Sequence, residues 1–175
     1  MLIQRFQRGF SLIELMITLA IVAILATVAA PSFKVILANA QIRTASQALQ
    51  DGLQLARVEA IRRNARVIFT IGTQSTWTVS VESDTSTVQT RPYTEGSAAA
   101  TVAVTPAGAT QVTFDGLGRV KANADASSSI TQLDIDVPTT LIPASASREQ
   151  RVTITSGGAI RLCDPNVSAG VGMGC

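Results

Sequence analysis

The sequence predicts an α+β protein, a long N-terminal helix followed by a β-rich head, on three observations. Leu15 to Ala30 is an apolar run broken only by Thr18 and Thr27. Beyond it, Ile36, Leu37, Ala40, Ala45, Leu49, Leu53, Ala56 and Ala60 recur three to five residues apart, the spacing of one helical face. From Arg66 the period changes to two, in short β-branched runs.

Phe10 to Ala30 spans 21 residues, and a helix of about 20 apolar residues crosses the ~30 Å bilayer core. Glu14 interrupts it near its start. A carboxylate there is costly, and ionisable groups so placed are usually paired and functional. Arg5 and Arg8 are the only charges before Gly9, so the positive-inside rule predicts a cytoplasmic N-terminus and a periplasmic remainder. Val28-Ala29-Ala30 also has the small residues of a secretory cleavage site. Pro31 would then follow the cut, and Glu14 would break the signal's apolar core. A plain uncleaved anchor needs neither Glu14 nor Gly9-Phe10.

The helical pattern continues past Pro31 to about Arg63, roughly 80 Å at 1.5 Å per residue. Pro31 should kink it by removing a backbone donor, and Gly52 is a second soft point. Strands are expected at Val67–Ile71, Trp77–Val81, Thr101–Val104, Gln111–Phe114, Gly118–Lys121, Ile130–Val137, Gln150–Thr155 and Ala159–Leu162. Asp115-Gly116-Leu117 and Ser156-Gly157-Gly158 read as hairpin turns. Ser- and Thr-rich stretches at 73–76, 83–87, 124–129 and 139–147 read as loops. Each strand is too polar on one face to stand alone, so the sheet should pack on the helix stripe.

Composition narrows the chemistry. The chain has no His, which removes the commonest general base and metal ligand. Lys34 and Lys121 are the only lysines, so no Ser or Thr has an evident activating base. Neither an enzyme nor a cofactor is expected. Asp134 and Asp136 share a strand face and read as solvated rather than calcium-binding. Loss of Arg5 and Arg8 would leave 12 of the 14 basic side chains against 12 acidic ones, too balanced for a surface devoted to nucleic acid. Cys163 and Cys175 are the only cysteines. In a periplasmic head they should form a disulfide. A redox pair or two free thiols fits less well, because there is no Cys-x-x-Cys motif.

The order Gly9-Phe10-Ser11-Leu12-Ile13-Glu14 after a short basic head resembles the leader of type IV pilins and pseudopilins. Leu53-Gln54-Leu55-Ala56-Arg57-Val58-Glu59-Ala60, Val112 to Gly118 and Val152 to Leu162 resemble the FimT/FimU/GspH group of minor pilins and pseudopilins. The resemblance implies cleavage between Gly9 and Phe10 by prepilin peptidase, methylation of the new Phe10 amine, and pairing of Glu14 with a neighbouring subunit's Phe10 ammonium. It divides the chain into a leader (1–9), a membrane and filament-core helix (10–30), an amphipathic helix (31–65) and a periplasmic head (66–175).

The implied role is a minor pilin that initiates or caps a type IV pilus, with a type II secretion pseudopilin as the alternative. Membrane lipid, an inner-membrane assembly platform and other major and minor pilins or pseudopilins are the implied partners. A third reading is DNA uptake. Some FimT members use a Gly-Arg-x-Arg motif, but Gly158-Ala159-Ile160-Arg161 keeps only its last arginine. Arg62, Arg63, Arg66, Arg119, Lys121 and Arg161 are the candidate phosphate contacts, and weak DNA binding of about 10⁻⁴ to 10⁻⁶ M is expected. Cations near a helix C-terminus also complement its dipole without any ligand.

Overall fold

The computed structural model describes residues 10–175. Gly9, Arg5 and Arg8 lie outside the described residues. Helix α1 runs over Leu12–Arg63 and continues through Pro31. The Ser11 hydroxyl oxygen accepts the Glu14 N–H at 3.2 Å, satisfying one of the free donors of the first turn. At the other end Asn64 adopts a left-handed φ of 48°, and the Ala65 N–H returns to the Ala60 carbonyl at 3.1 Å. That wrap ends the helix in the manner usually given to glycine.

The described residues fall into two compact units, one ending at Lys34 and the other running over Val35–Cys175. Within the second, α1 buries Ala38, Ile42, Ala45, Leu49, Leu53, Ala56 and Ala60. Their spacings of three and four keep one stripe on the core. Ile36, Leu37 and Ala40, expected on that stripe, are exposed instead, because the buried face there runs through Ala38 and Ile42. Gly52 is a close-approach site rather than a soft point. A Cβ there would sit 2.8 Å from the Trp77 ring, which stacks on Phe69 with centroids 6.1 Å apart.

The strands are β1 (Val67–Ile71), β2 (Trp77–Val81), β3 (Thr87–Arg91), β4 (Thr101–Thr105), β5 (Gln111–Phe114), β6 (Val120–Lys121), β7 (Gln132–Asp136), β8 (Gln150–Ile154) and β9 (Ile160–Cys163). They form two antiparallel sheets where one was expected, ordered β3-β2-β1-β5-β6 and β4-β7-β8-β9. In β1 and β2 every second residue is buried, as their β-branched alternation requires. Strand β3 has no counterpart among the expected strands, and it takes in Thr87 from the expected 83–87 loop. Only Val88 and Arg91 of this edge strand are even partly buried, so it carries little apolar periodicity. Asp134 and Asp136 are half-buried and engaged rather than solvated. Arg151 Nε donates to Asp134 at 2.5 Å, and Asp136 accepts from Ser147 and the Val137 N–H.

Cys163 and Cys175 are joined across a separation of 12 residues. The Asp164 N–H also donates to the Met173 carbonyl at 2.7 Å, so the tail closes on β9. Changing both cysteines to Ser should lower head stability by about 2–3 kcal/mol in the chain-entropy account. Thermal unfolding of the 35–175 head checks this. Thiol labelling of the unreduced chain should find no reactive cysteine.

Candidate functional site

The first candidate surface is the start of α1. From Phe10 to Leu25 its large apolar side chains are 52–85 % exposed. Thr18 and Thr27 turn their hydroxyls back onto the Leu15 and Ile24 carbonyls, at 2.9 and 2.8 Å. Their polar hydrogens therefore need no partner outside the helix. Glu14 accepts no hydrogen bond among the described residues and stands in this apolar setting. Ser-x-x-Glu at positions 11–14 is the helix-start signal that this bond realises. No single described helix is long and apolar enough to cross a membrane. Leu12–Thr27 and Ala29–Arg63 taken together have the length and composition to do so. An apolar surface of this extent has to be covered by lipid or by other subunits.

The second candidate surface is the basic end of α1. Glu59 holds both Arg62 and Arg63, at 2.6 and 2.8 Å. Arg66 pairs with Glu82 at 3.0 Å and also donates to the Ala122 carbonyl. Arg119 and Lys121 share Asp115, at 3.5 and 4.0 Å. Only Arg161 of the six candidate phosphate contacts has no acidic partner among the described residues. Three of those cations sit beside β5–β6 or on it, while Arg161 lies on β9 of the other sheet.

Hydrogen bonds from Arg62 and then Arg63 hold the Glu59 carboxyl at about 2, well below its ordinary 4.5. Asp115 is lowered too, first by the Arg119 N–H and then by the Leu117 N–H. A lowered carboxyl stabilises the fold above its unfolded value and loses that contribution as the pH falls. Between pH 4.5 and about 2 the head should therefore weaken as Glu59 protonates. Glu59→Gln should cost about 0.5–1 kcal/mol at neutral pH. It should also flatten the stability profile across that acid window in thermal unfolding.

Three segments singled out in the sequence meet beside this basic end. Arg57 Nε donates to the Gly118 carbonyl at 3.1 Å. The Val120 N–H donates to the Ser156 carbonyl at 3.1 Å, joining the β8–β9 turn to β6. Gly158, at φ 80°, lies against the backbone of Gly118 and Arg119, where a Cβ would collide with the Gly118 carbonyl oxygen. Gly116 packs on Asn64, where a Cβ would lie 2.5 Å from the side-chain Oδ1 and 3.1 Å from the backbone. The helix end and two hairpin turns thus form one latch. Arg57, from the Leu53–Ala60 stretch of the helix, is part of it.

Among the described residues no cluster of three His, Cys, Asp or Glu side chains is arranged to hold a metal. Comparison with known proteins identifies the architecture. Residues 45–158 match the family "Type II transport protein GspH", and residues 4–30 match the "Prokaryotic N-terminal methylation motif". The fold is similar to that of the type IV minor pilin FimU of Pseudomonas aeruginosa. That match has a TM-score of 0.50 at 16 % identity and covers 69 % of this chain and 87 % of FimU. A fimbrial protein of Moraxella nonliquefaciens is 45 % identical over 60 residues, 34 % of this chain. The match spans 38 % of that relative's length. With the family match covering more than half of its length and a pilin-type methylation motif at its start, the chain belongs to the GspH family of type IV pilin-like proteins.

Proposed function

We propose that this chain is a non-enzymatic minor pilin that helps initiate or cap a type IV pilus. The observation that carries the reading is the exposed apolar helix from Phe10 to Leu25, together with a head that completes its own core. A filament core or a bilayer supplies the missing cover, and the head remains folded in either setting. In this reading prepilin peptidase cuts between Gly9 and Phe10, and Phe10 is N-methylated. The helix is inserted in the inner membrane with its start cytoplasmic and its head periplasmic. An assembly platform then passes it to a filament of other pilins. Glu14 meets the ammonium of a neighbouring subunit's Phe10, a pairing that low dielectric strengthens.

The likeness to FimU supports the pilus, while the family's description as a type II transport protein supports a secretion pseudopilin as the second reading. DNA binding ranks below both. Five of its six candidate cations already have acidic partners, which compete with phosphate.

Sheared pili should contain this chain in low copy with a methylated N-terminal Phe10, read by mass spectrometry. Gly9→Val should leave an uncut precursor that is absent from pili. Absence of the wild-type chain from pili, with loss of secretion on its deletion, would favour the pseudopilin. An N-terminus at Pro31 would sink both.

A further inference from the structure

The two sheets end in the edge strands β3, β6, β4 and β9. An edge leaves alternate N–H and C=O groups pointing outward, ready to pair with another strand, so natural edges are usually blocked. Three of these are. Strand β3 carries a bulge, since Val88 is skipped between Val79↔Gln89 and Ser80↔Thr87, and it ends on the Arg91–Glu95 ion pair. Strand β6 is two residues long, and the Ser156 carbonyl takes the Val120 N–H. Strand β9 carries the exposed Arg161 and runs into the disulfide-closed tail, where Asp164 bridges to Gly174.

Strand β4 has none of these devices. Thr101-Val102-Ala103-Val104-Thr105 is uncharged, β-branched at all but Ala103, and pairs with β7 in one unbroken register. Thr101, Ala103 and Thr105 are exposed. Val102 and Val104 are only half-buried, although their partners on β7 are the buried Ile135 and Leu133. Among the described residues, the one backbone group of β4 bonded outside that ladder is the Thr105 carbonyl, which accepts from Thr131. The groups left over are backbone donors and acceptors in a row, and an extended strand is what satisfies such a row.

A second copy of this chain is excluded as the donor by its own geometry. Its β3, β6 and β9 edges are blocked in the same way, which leaves only its β4. Antiparallel pairing of β4 with β4 sets a two-fold axis normal to the sheet. Helix α1 lies against that sheet, with Leu49 and Leu53 in one core with Leu133 and Ile135, so the axis turns the second α1 end for end. Two helices that enter one membrane or filament in the same sense cannot be related in that way. Parallel pairing sets the axis along the strand and the two cores on opposite faces. Val102 and Val104 of each copy would then lie beside the other's Thr and Ala and stay uncovered.

We propose that β4 is where a strand of a different subunit joins this head, continuing the β4-β7-β8-β9 sheet into that neighbour. The strand it fits is uncharged, with β-branched or aromatic side chains at alternate positions to cover Val102 and Val104. The exclusion of a second copy rests on the minor-pilin reading, in which all anchors point one way.

The test is a photo-crosslinking residue at Thr101 of the full chain in its native cells, with the same residue at Gln89 of the blocked β3 and at Leu19 as separate controls. The Thr101 probe should capture a different pilin-family subunit through an uncharged strand segment, and Gln89 should not capture that segment. Ala103→Lys should cut the adduct about tenfold, since a charge on an edge opposes pairing. Ala103→Thr, uncharged and strand-favouring, should leave it unchanged. Ala103 is exposed, so thermal unfolding of the lysine variant should match the wild type. An adduct with a second copy, an adduct with lipid, no adduct, the same segment captured at Gln89, or an adduct indifferent to Ala103→Lys each overturns the proposal. Capture of a pilin at Leu19 alongside such a failure leaves the minor-pilin reading standing. No pilin at either Thr101 or Leu19 removes that reading as well.

Discussion

Gly158→Val is expected to cost the head about 3 kcal/mol, roughly 10 °C in midpoint. Two effects combine. At φ 80° a residue with a Cβ is strained, and a β-branched one most of all. The new Cβ would also be driven into the Gly118 carbonyl oxygen, which accepts the Arg57 hydrogen bond. Relieving the clash pulls the β8–β9 turn away from β6 and breaks the Val120 to Ser156 bond. Gly157→Val is the control. It lies in the same turn, but its nearest obstacle is Thr155 Oγ1 at 3.9 Å and it has no left-handed φ. Thermal unfolding of the 35–175 head should separate the two variants sharply. Equal losses would show that the turn tolerates side chains and that the latch is not what holds it.

Glu14→Ala should leave head stability unchanged and lower incorporation into filaments by roughly tenfold to a hundredfold. That range corresponds to about 1.4–2.8 kcal/mol, part of the cost of about 2.5–3.5 kcal/mol for an unpaired charge at the centre of a membrane span. The change removes a carboxylate without removing the cap, since Ser11 Oγ accepts the backbone N–H of Glu14. It also lies in the compact unit separate from the head core, which is built from Ala38 onward. Quantitative immunoblotting of sheared filaments against membranes measures the effect. Glu14→Gln should fall nearly as far, because a neutral amide cannot replace a charge partner. Normal incorporation of either variant would remove Glu14 from assembly.

Some of this protein was readable residue by residue. Strands β1 and β2 coincide with the expected runs because Val, Ile, Phe, Thr and Trp alternate with polar residues at the pitch of a pleated strand. Strand β3 was missed because Thr87, Gln89 and Thr90 show no buried side to read. It is held by pairing with β2 from Trp77↔Arg91 to Ser80↔Thr87. The family, too, was legible, since a motif such as Gly-Phe-Ser-Leu-Ile-Glu before an apolar run carries its chemistry in adjacent positions.

Neighbouring residues determined by themselves the helix period, the alternating strands, the hairpin turns at Gly116 and Gly157-Gly158, and the apolar start that demands cover. Such properties depend on spacing and conformational preference over a few positions. Which face those elements bury was decided only by the tertiary structure. Periodicity put Ile36, Leu37 and Ala40 on the core stripe, yet the fold buries Ala38 and Ile42 and leaves those three exposed. Gly52 looked soft until the indole of Trp77 was laid across it. Arg66 looked available until Glu82, at the far end of the β1–β2 hairpin, was brought to it. Arg57 finds its acceptor only because the fold brings the Gly118 carbonyl, 61 residues away, to its Nε. In each case the partner is separated by a loop closure that local sequence cannot encode, and burial and charge pairing are set by that partner.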